Sequence, residues 1–399
     1  QGIYRFAPDV SSFEYLTRTS NNTWGLGFTE DNEVFASTAN NTHSVYLGIP
    51  DRYYQGVEGI KPVSSEKIDG HYAMHPITDK VRQVDVWGGF TAASGHNFYT
   101  AREYPASYWN KTALVCEPTG HLVHIANIEK SGAGFKEKDG WNLFASADEW
   151  VAPVEAKVGP DGQVWVADWY NFIVQHNPTP SPDRGGYQAE NGEGNAYVNP
   201  LRDKQHGRIW RVVYKGSDPE KQQITSLSKD DPDGLISALK SDNMFWRITA
   251  QRLLVERQDE EVLPALYKLV KSNSLDEIGE NPAGMHALWI MDALGALDGF
   301  NKEAYEVVVK ALGHNSAAVR KAAVELLPVS LWSKEELMAS KVLTDEDPQV
   351  RLAAILKLAE MPSSVNTGKL LYRLSMDPEY GSDPWLSRAI YTSAVRNRQ

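Results

Sequence analysis

The sequence predicts a β-propeller, incomplete at its N-terminus, followed by an all-α solenoid of HEAT-like helix pairs. Three observations predict it. A grammar of strand, turn, strand and polar loop recurs before residue 216. Beyond Gly216 the apolar period changes from two to three or four. In that second part Asp347-Pro348 and Asp383-Pro384 read as helix starts, a capping carboxylate followed by a residue that needs no N–H partner. The expected division is 1–215 blades, 216–230 linker and 231–399 helical repeats.

The clearest β unit runs from Glu149 to His176. A turn at Gly159-Pro160-Asp161-Gly162 feeds the alternating run Gln163 to Asp168, which delivers Asp168, Trp169, Tyr170 and Asn171 at its far end. Polar and aromatic side chains at a strand end are where functional loops tend to sit. Trp24 to Ser37 has the same plan, with its turn at Glu30-Asp31-Asn32 and a polar segment from Thr38 to His43 after it.

Before that unit, Gly2–Phe6 and Phe13–Thr17 read as the last hairpin of a blade whose other strands lie upstream. After it come a strand at Val45–Ile49 and an irregular insertion, Tyr53 to Pro76, rich in Gly and His and ending DGHYAMHP. A third unit starts near Phe90, continues as Thr112–Glu117, turns at Pro118-Thr119-Gly120 and leaves as His121–Ile128. Gly140–Ala147 and Val151–Val158 lead into the Glu149 unit, and after a loop over Asn177–Gln205 the stretch Gly207–Tyr214 closes the β part. This makes about three full units and one partial, at about 40–50 residues each. Closed propellers need about four to eight blades, so further blades are expected upstream, and a chain beginning at Gln1 reads as processed or as a piece of a longer protein.

In the helical part, Trp246, Thr249, Ala250, Leu253 and Leu254 share one helix face, and Val319, Ala322, Ala323, Leu326 and Leu327 repeat the spacing. An Arg follows the first anchor each time: Trp246-Arg247, Val319-Arg320 and Val350-Arg351, with a looser copy from Trp385 to Arg388. Stacked repeats of this kind present a long surface that suits a protein partner.

Composition removes several functions. A formal net charge of -12 with no basic patch argues against nucleic acid. The single cysteine, Cys116, excludes an internal disulfide, a Cys-rich zinc site and a CxxCH haem attachment motif in these residues. No apolar run is long enough for a membrane-spanning helix, and the N-terminus lacks a signal-peptide pattern. GxGxxG, P-loop, GxSxG and HExxH motifs are absent.

Eight of the ten His and eight of the twelve Trp precede residue 216, which places the chemistry in the β part. His96, after Ser94-Gly95, opens a strand where an imidazole can act as general base; the plainer reading is a histidine bonded to a neighbouring loop. His121 is a second candidate, while the spacing of His121 and His124 puts them on opposite strand faces and makes a weak metal signal. The metal ligands are left unassigned. Asp168 with Asn171 can orient an imidazole or bind a hard cation, or Asp168 ties its own turn through backbone amides. Trp24, Trp150, Trp169 and Tyr170 can stack on a ring or pack between blades. Arg102 can clamp an anion or brace a loop, and Glu117, Glu149 and His75 complete the candidates.

The segments TSNNTWGLGF, VFASTANNTHS, DGHYAMHPITDKVRQVD, GGFTAASGHNFYTAREYP, CEPTGHLVH, GWNLFASADEWVAPV, GPDGQVWVADWYNFIVQHNPTP and RDKQHGRIWRVVY span nearly all of the β part. Over them the chain resembles the large bacterial proteins called membrane-bound dehydrogenase-like or haem-binding dehydrogenase proteins, whose propeller is similar to that of quinoprotein sugar dehydrogenases. The resemblance implies a quinone-dependent oxidoreductase acting on a sugar or alcohol, with pyrroloquinoline quinone and calcium as cofactors. It implies His96 or His121 as base, Arg102 as clamp, and Asp168 and Asn171 in the polar floor. It further implies a periplasmic or cell-surface location and a cytochrome c-like electron acceptor on a missing segment or another chain. The competing expectation is a non-catalytic carbohydrate- or protein-binding module of an extracellular assembly. A hydrolase or lyase using Glu117, Glu149 or Asp168 ranks behind both, because no carboxylate pair can be placed at a working separation.

Overall fold

The computed structural model describes residues 1–398 apart from 82, 84–85, 173, 175–189, 192–196, 199–201, 218–225 and 299–300, so most of the loop expected over 177–205 lies outside the described residues. The strands are β1 (Gly2–Phe6), β2 (Phe13–Arg18), β3 (Thr23–Phe28), β4 (Val34–Thr38), β5 (Thr42–Leu47), β6 (Ser65–Lys67), β7 (Ser94–Phe98), β8 (Thr112–Glu117), β9 (Leu122–Ser131), β10 (Gly134–Ala145), β11 (Pro153–Val158), β12 (Val164–Asp168), β13 (Glu190–Asn191), β14 (Tyr197–Val198) and β15 (Arg208–Val212). They form antiparallel sheets in the orders β1-β2, β3-β4-β5-β6, β7-β8-β9-β10, β11-β12-β15 and β13-β14. Strand β7 packs against β3 on one side and β11 on the other, and the described sheets do not close into a ring.

The close approach of β3 to β7 explains the Gly-x-Gly of Trp24-Gly25-Leu26-Gly27. A Cβ on Gly27 would collide with the carbonyl oxygen of His96, so any side chain there must push the two strands apart.

Three boundaries differ from the sequence expectation. The polar segment over 38–43 ends inside β5, because Thr42 pairs with Thr38 of β4 and His43 is buried. The irregular insertion supplies β6, whose Ser-Glu-Lys carries no apolar period and is held by pairing with β5. Gly140, expected to begin a strand, lies inside β10, at a bulge between Asp139 and Asn142 that puts Trp141 in the left-handed region at φ 66°.

The helices are α1 (Pro232–Ala238), α2 (Met244–Arg257), α3 (Leu263–Val270), α4 (Pro282–Ala293), α5 (Lys302–Ala311), α6 (Ala317–Leu326), α7 (Leu331–Ala339), α8 (Pro348–Glu360), α9 (Val365–Met376), α10 (Pro378–Gly381) and α11 (Pro384–Arg396). They stack in pairs as an array, α2 on α4, α4 on α6, α6 on α8 and α8 on α11, and none is long and apolar enough to cross a membrane. Asp347 and Asp383 cap α8 and α11 by accepting the Gln349 amide, and the Trp385 and Leu386 amides.

One apolar core runs through both halves, joining Phe35, Tyr46 and Phe98 of the sheets to Leu254, Val319, Ile355 and Trp385 of the array. The Trp385 ring lies on the backbone of Gly48 and Gly134, where an added Cβ would run into it. Burial of an indole of this kind is worth about 3–5 kcal/mol against alanine.

The repeated arginines are buried and paired. Arg320 meets Asp345 with two bonds of 2.7 Å, Arg351 meets Glu379 at 2.5 Å, and Arg247 reaches out of the array to Glu30 of the β part. Burial, assisted by the Arg247 charge, pushes the His286 imidazole of α4 from 6.5 down to about 3. The folded protein therefore keeps it neutral, whereas the unfolded chain takes up a proton below pH 6.5, so its contribution is intact above that pH and is lost as pH falls. His286→Gln should gain about 2 kcal/mol on wild type between pH 7.5 and pH 5, read from urea midpoints. An equal difference between the two proteins at both pH values would refute this.

Candidate metal centre

Four side chains, three of them buried and His71 partly exposed, meet between the later strands of two sheets. His43 stands at the start of β5, His71 in the loop after β6, His124 on β9 and Glu137 on β10. Each offers one donor atom, and these atoms all lie within 4.8 Å of one another. His71 Nε2 is 3.3 Å from His124 Nε2 and 3.3 Å from Glu137 Oε1, and His124 Nε2 is 3.6 Å from that oxygen. Donors at 2.0–2.1 Å from a tetrahedral ion are separated by about 3.3–3.4 Å. The spacing therefore matches a shared ion better than a set of hydrogen bonds.

The surroundings aim these donors. The Gly70 amide donates to Glu137 Oε2 at 2.7 Å and leaves Oε1 turned inward. His71 Nδ1 lies 2.9 Å from the Ala73 carbonyl, which fixes the proton there and the lone pair on Nε2. Asp69 Oδ2 stands 3.6 Å from His43 Nδ1, and the His43 ring is stacked on Phe90 with centroids 4.2 Å apart. Glu137 Oε1 and His43 Nε2 are buried without a hydrogen-bond partner. Such orphans carry a desolvation penalty of about 1–3 kcal/mol each unless something fills the space between them.

Protonation favours the same use. Burial would raise the Glu137 carboxyl, but the imidazoles of His124, His43 and His71 outweigh it and hold the group well below the carboxylate range. Burial pushes His124 down to about 4 against the pull of Glu137. At neutral pH the cluster thus presents an ionised carboxylate and a neutral His124, the forms that bind a metal, while at His71 burial is outweighed by the pull of Glu137, which raises the imidazole above its usual value. Donor chemistry selects among ions: three imidazoles and one carboxylate suit zinc, copper, iron or nickel, whereas calcium prefers six to eight oxygens.

Next to this cluster, His75 Nε2 is 2.5 Å from Asp139 Oδ2, and the His75 ring is stacked 4.0 Å from that of Trp141. His75 is the one residue expected from sequence that adjoins the centre. His96 points into the core, with Nε2 2.8 Å from Ser44 Oγ and its ring parallel to Phe35; burial pushes it down to about 3. His121 occupies a left-handed corner before β9, and its Nδ1 lies 2.6 Å from the Val151 carbonyl.

Asp168, Trp150, Tyr170 and Asn171 sit together at the end of β12, where Asp168 accepts from the amides of Ala152 and Tyr170, Arg208 Nε and Trp210 Nε1. Tyr170 is stacked on Trp150 and Asn171 donates to the Asp203 carbonyl, while Trp24 and Trp169 are exposed. Arg102 grips Glu30 and Asp276. Glu117 accepts from the Ala92 and Thr119 amides and the Thr119 hydroxyl, and burial raises it to about 7. Glu149 is 4.0 Å from Lys80.

Sequence reasoning missed His43, His71, Glu137 and Asp139, and gave His124 only a weak metal signal. His121 lies outside β9, in the corner before it, so alternation along a strand does not relate it to His124, and the centre joins His124 to a different sheet. The usable signal was the crowding of six histidines between residues 43 and 124.

Residues 1–216, more than half of the chain, match the model of a family described as Domain of unknown function (DUF7133). No curated protein matches the sequence significantly. Among solved structures the chain is similar to the complex of CpcE and CpcF of phycocyanin lyase from Nostoc sp. PCC7120, at 18% identity and a TM-score of 0.32, over 44% of this chain and 66% of that one. It is also similar to a Thermus thermophilus protein described by inference as an oxidoreductase (glucose dehydrogenase), at 15% identity and a TM-score of 0.27, over 50% of this chain and 47% of that one. The chain thus spans just under two thirds of the first and less than half of the second.

Proposed function

We propose, starting from the premise that this chain belongs to the family described as Domain of unknown function (DUF7133), that it is a metal-binding β module braced by a helical array. His43, His71, His124 and Glu137 hold one divalent first-row ion, zinc first among them. The observation that carries this reading is the convergence of four donors, three of them buried, within 4.8 Å of one another, with Glu137 Oε1 and His43 Nε2 left without a hydrogen-bond partner. Bound there, the ion supplies Lewis acidity. The protein's part is to hold Glu137 ionised, fix the His71 tautomer through Ala73, and exclude water around His43 and His124.

The sheets lend themselves to a finer reading as propeller blades, each running outward in chain order from an inner strand, with β3, β7 and β11 side by side. The centre then lies between the outer strands of two blades, away from the inner ends where a quinone would sit. The side chains expected to hold a quinone and calcium, His96, His121, Arg102 and Asp168, each bond to separate neighbours.

Chelator-stripped protein titrated with zinc, and separately with cobalt, tests the proposal. One tight equivalent, with the intense visible bands of four-coordinate cobalt, is expected. Protein that leaves gel filtration free of metal at stoichiometric loading would end it.

A further inference from the structure

The centre has an exposed side. Of its four donors, the His71 side chain is 17% exposed, whereas those of His43, His124 and Glu137 are at 1% or less. An ion arriving from solvent must therefore pass His71, and the residues standing on that side are His75 and Asp139.

Those two, with His71, form a second donor set: one carboxylate oxygen and two imidazole nitrogens whose donor atoms lie within 4.8 Å of one another. Asp139 Oδ2 is 2.5 Å from His75 Nε2 and 3.9 Å from His71 Nδ1. Two local features hold the set open. The bulge in β10 turns Trp141 into the left-handed region, so that its amide donates to Asp139 Oδ1 at 2.8 Å and leaves Oδ2 to His75. Asn142 Nδ2 then donates to the His75 carbonyl at 2.6 Å, fixing the loop, while the Trp141 ring covers one face of the imidazole. A bulky residue at positive φ carries local strain of about 1–3 kcal/mol, and such strain persists where surrounding structure imposes it.

The two donor sets are connected in sequence as well as in space. Glu137 and Asp139 are two residues apart on the regularly paired part of β10, on the same face and about 7 Å apart along the strand. One carboxylate is buried and the next reaches the surface. His71 and His75 repeat the step in the loop, with ring centroids 6.1 Å apart.

We infer that His75, Asp139 and His71 form a surface transit site, which captures a divalent transition-metal ion from solvent and passes it by ligand exchange at His71 to the buried centre. The inference rests on the metal-centre reading above. With three donors, one of them shared, the transit site binds more weakly than the four-donor centre, and the gradient of donor number drives the ion inward. The only bonds made or broken are metal–ligand bonds and the N–H bonds of imidazole protons displaced by the ion, and those protons leave to solvent.

The test compares cobalt uptake by metal-free wild type and by the double variant His75→Ala, Asp139→Asn. Both positions are partly exposed, and asparagine retains an acceptor for the Trp141 amide, so folding should survive. We expect the variant to fill the buried centre about tenfold or more slowly, the scale on which outer-shell partners act. Its tight stoichiometry should stay at one. Equal uptake rates with one tight equivalent in both proteins would overturn the transit site and leave the centre standing. A wild type that takes up no cobalt would overturn both.

Discussion

His124→Ala is expected to lower zinc affinity by about 10²–10³-fold. Structural zinc bound by four side chains is worth about 10–16 kcal/mol, so one ligand of four carries about 3–4 kcal/mol, and each 1.4 kcal/mol is a factor of ten. His124 is the informative position because it is fully buried near the start of β9, paired on one side with Val115 of β8 and on the other with Asn142 of β10. Removing its ring leaves a space shaped for imidazole. Free imidazole added at millimolar level should then restore part of the affinity, an effect that mere loosening of the core would not produce. A variant that holds zinc within threefold of wild type would show that His124 is no ligand.

Glu30→Ala should be the most destabilising substitution at the junction of the two halves, at about 3–5 kcal/mol. Glu30 is buried between two guanidinium groups. Arg102 reaches it with bonds of 2.7 and 3.2 Å, and Arg247, itself fully buried, meets its Oε2. The penalty arises from the arginines left behind. Arg102 retains Asp276 at 3.2 Å, whereas Arg247 is left with the neutral Ser241 carbonyl at 2.7 Å. Replacing the group as a set, Glu30→Leu with Arg247→Met, should therefore cost much less than Glu30→Ala alone. Denaturant unfolding decides it: a loss below about 1 kcal/mol for Glu30→Ala would mean that the pair is not buried in solution.

How far the sequence revealed this molecule depended on the range of the contacts. The turn at Gly159 to Gly162, the caps at Asp347 and Asp383 and the helix faces of α2 and α6 were legible, since each is fixed by residues within a few positions. The arginine after each anchor was legible as a repeat, but its reason was not. Arg247 is paired with a carboxylate 217 positions away, and local spacing carries no trace of that.

The metal centre was hidden in the same way. His43 and Glu137 lie on different sheets, and His71 belongs to a loop whose nearest strand, β6, is three residues without an apolar period. The Asp168 cluster shows the converse. Its polar and aromatic composition suggested a site, yet the bonds that carboxylate accepts from Ala152, Tyr170, Arg208 and Trp210 close its own corner of the sheet.

The tip of the β9–β10 hairpin is held from outside. Asp383, while capping α11, also accepts the Ala133 amide at 2.7 Å, Gln349 of α8 donates to the Ala133 carbonyl at 2.8 Å, and Glu137 stands only four residues further along β10. Trimming α11, or fusing a bulky tag against it, would free that tip and blur the position of a coordinating carboxylate. Loading assays on shortened or tagged preparations would then understate how well the intact molecule retains its ion.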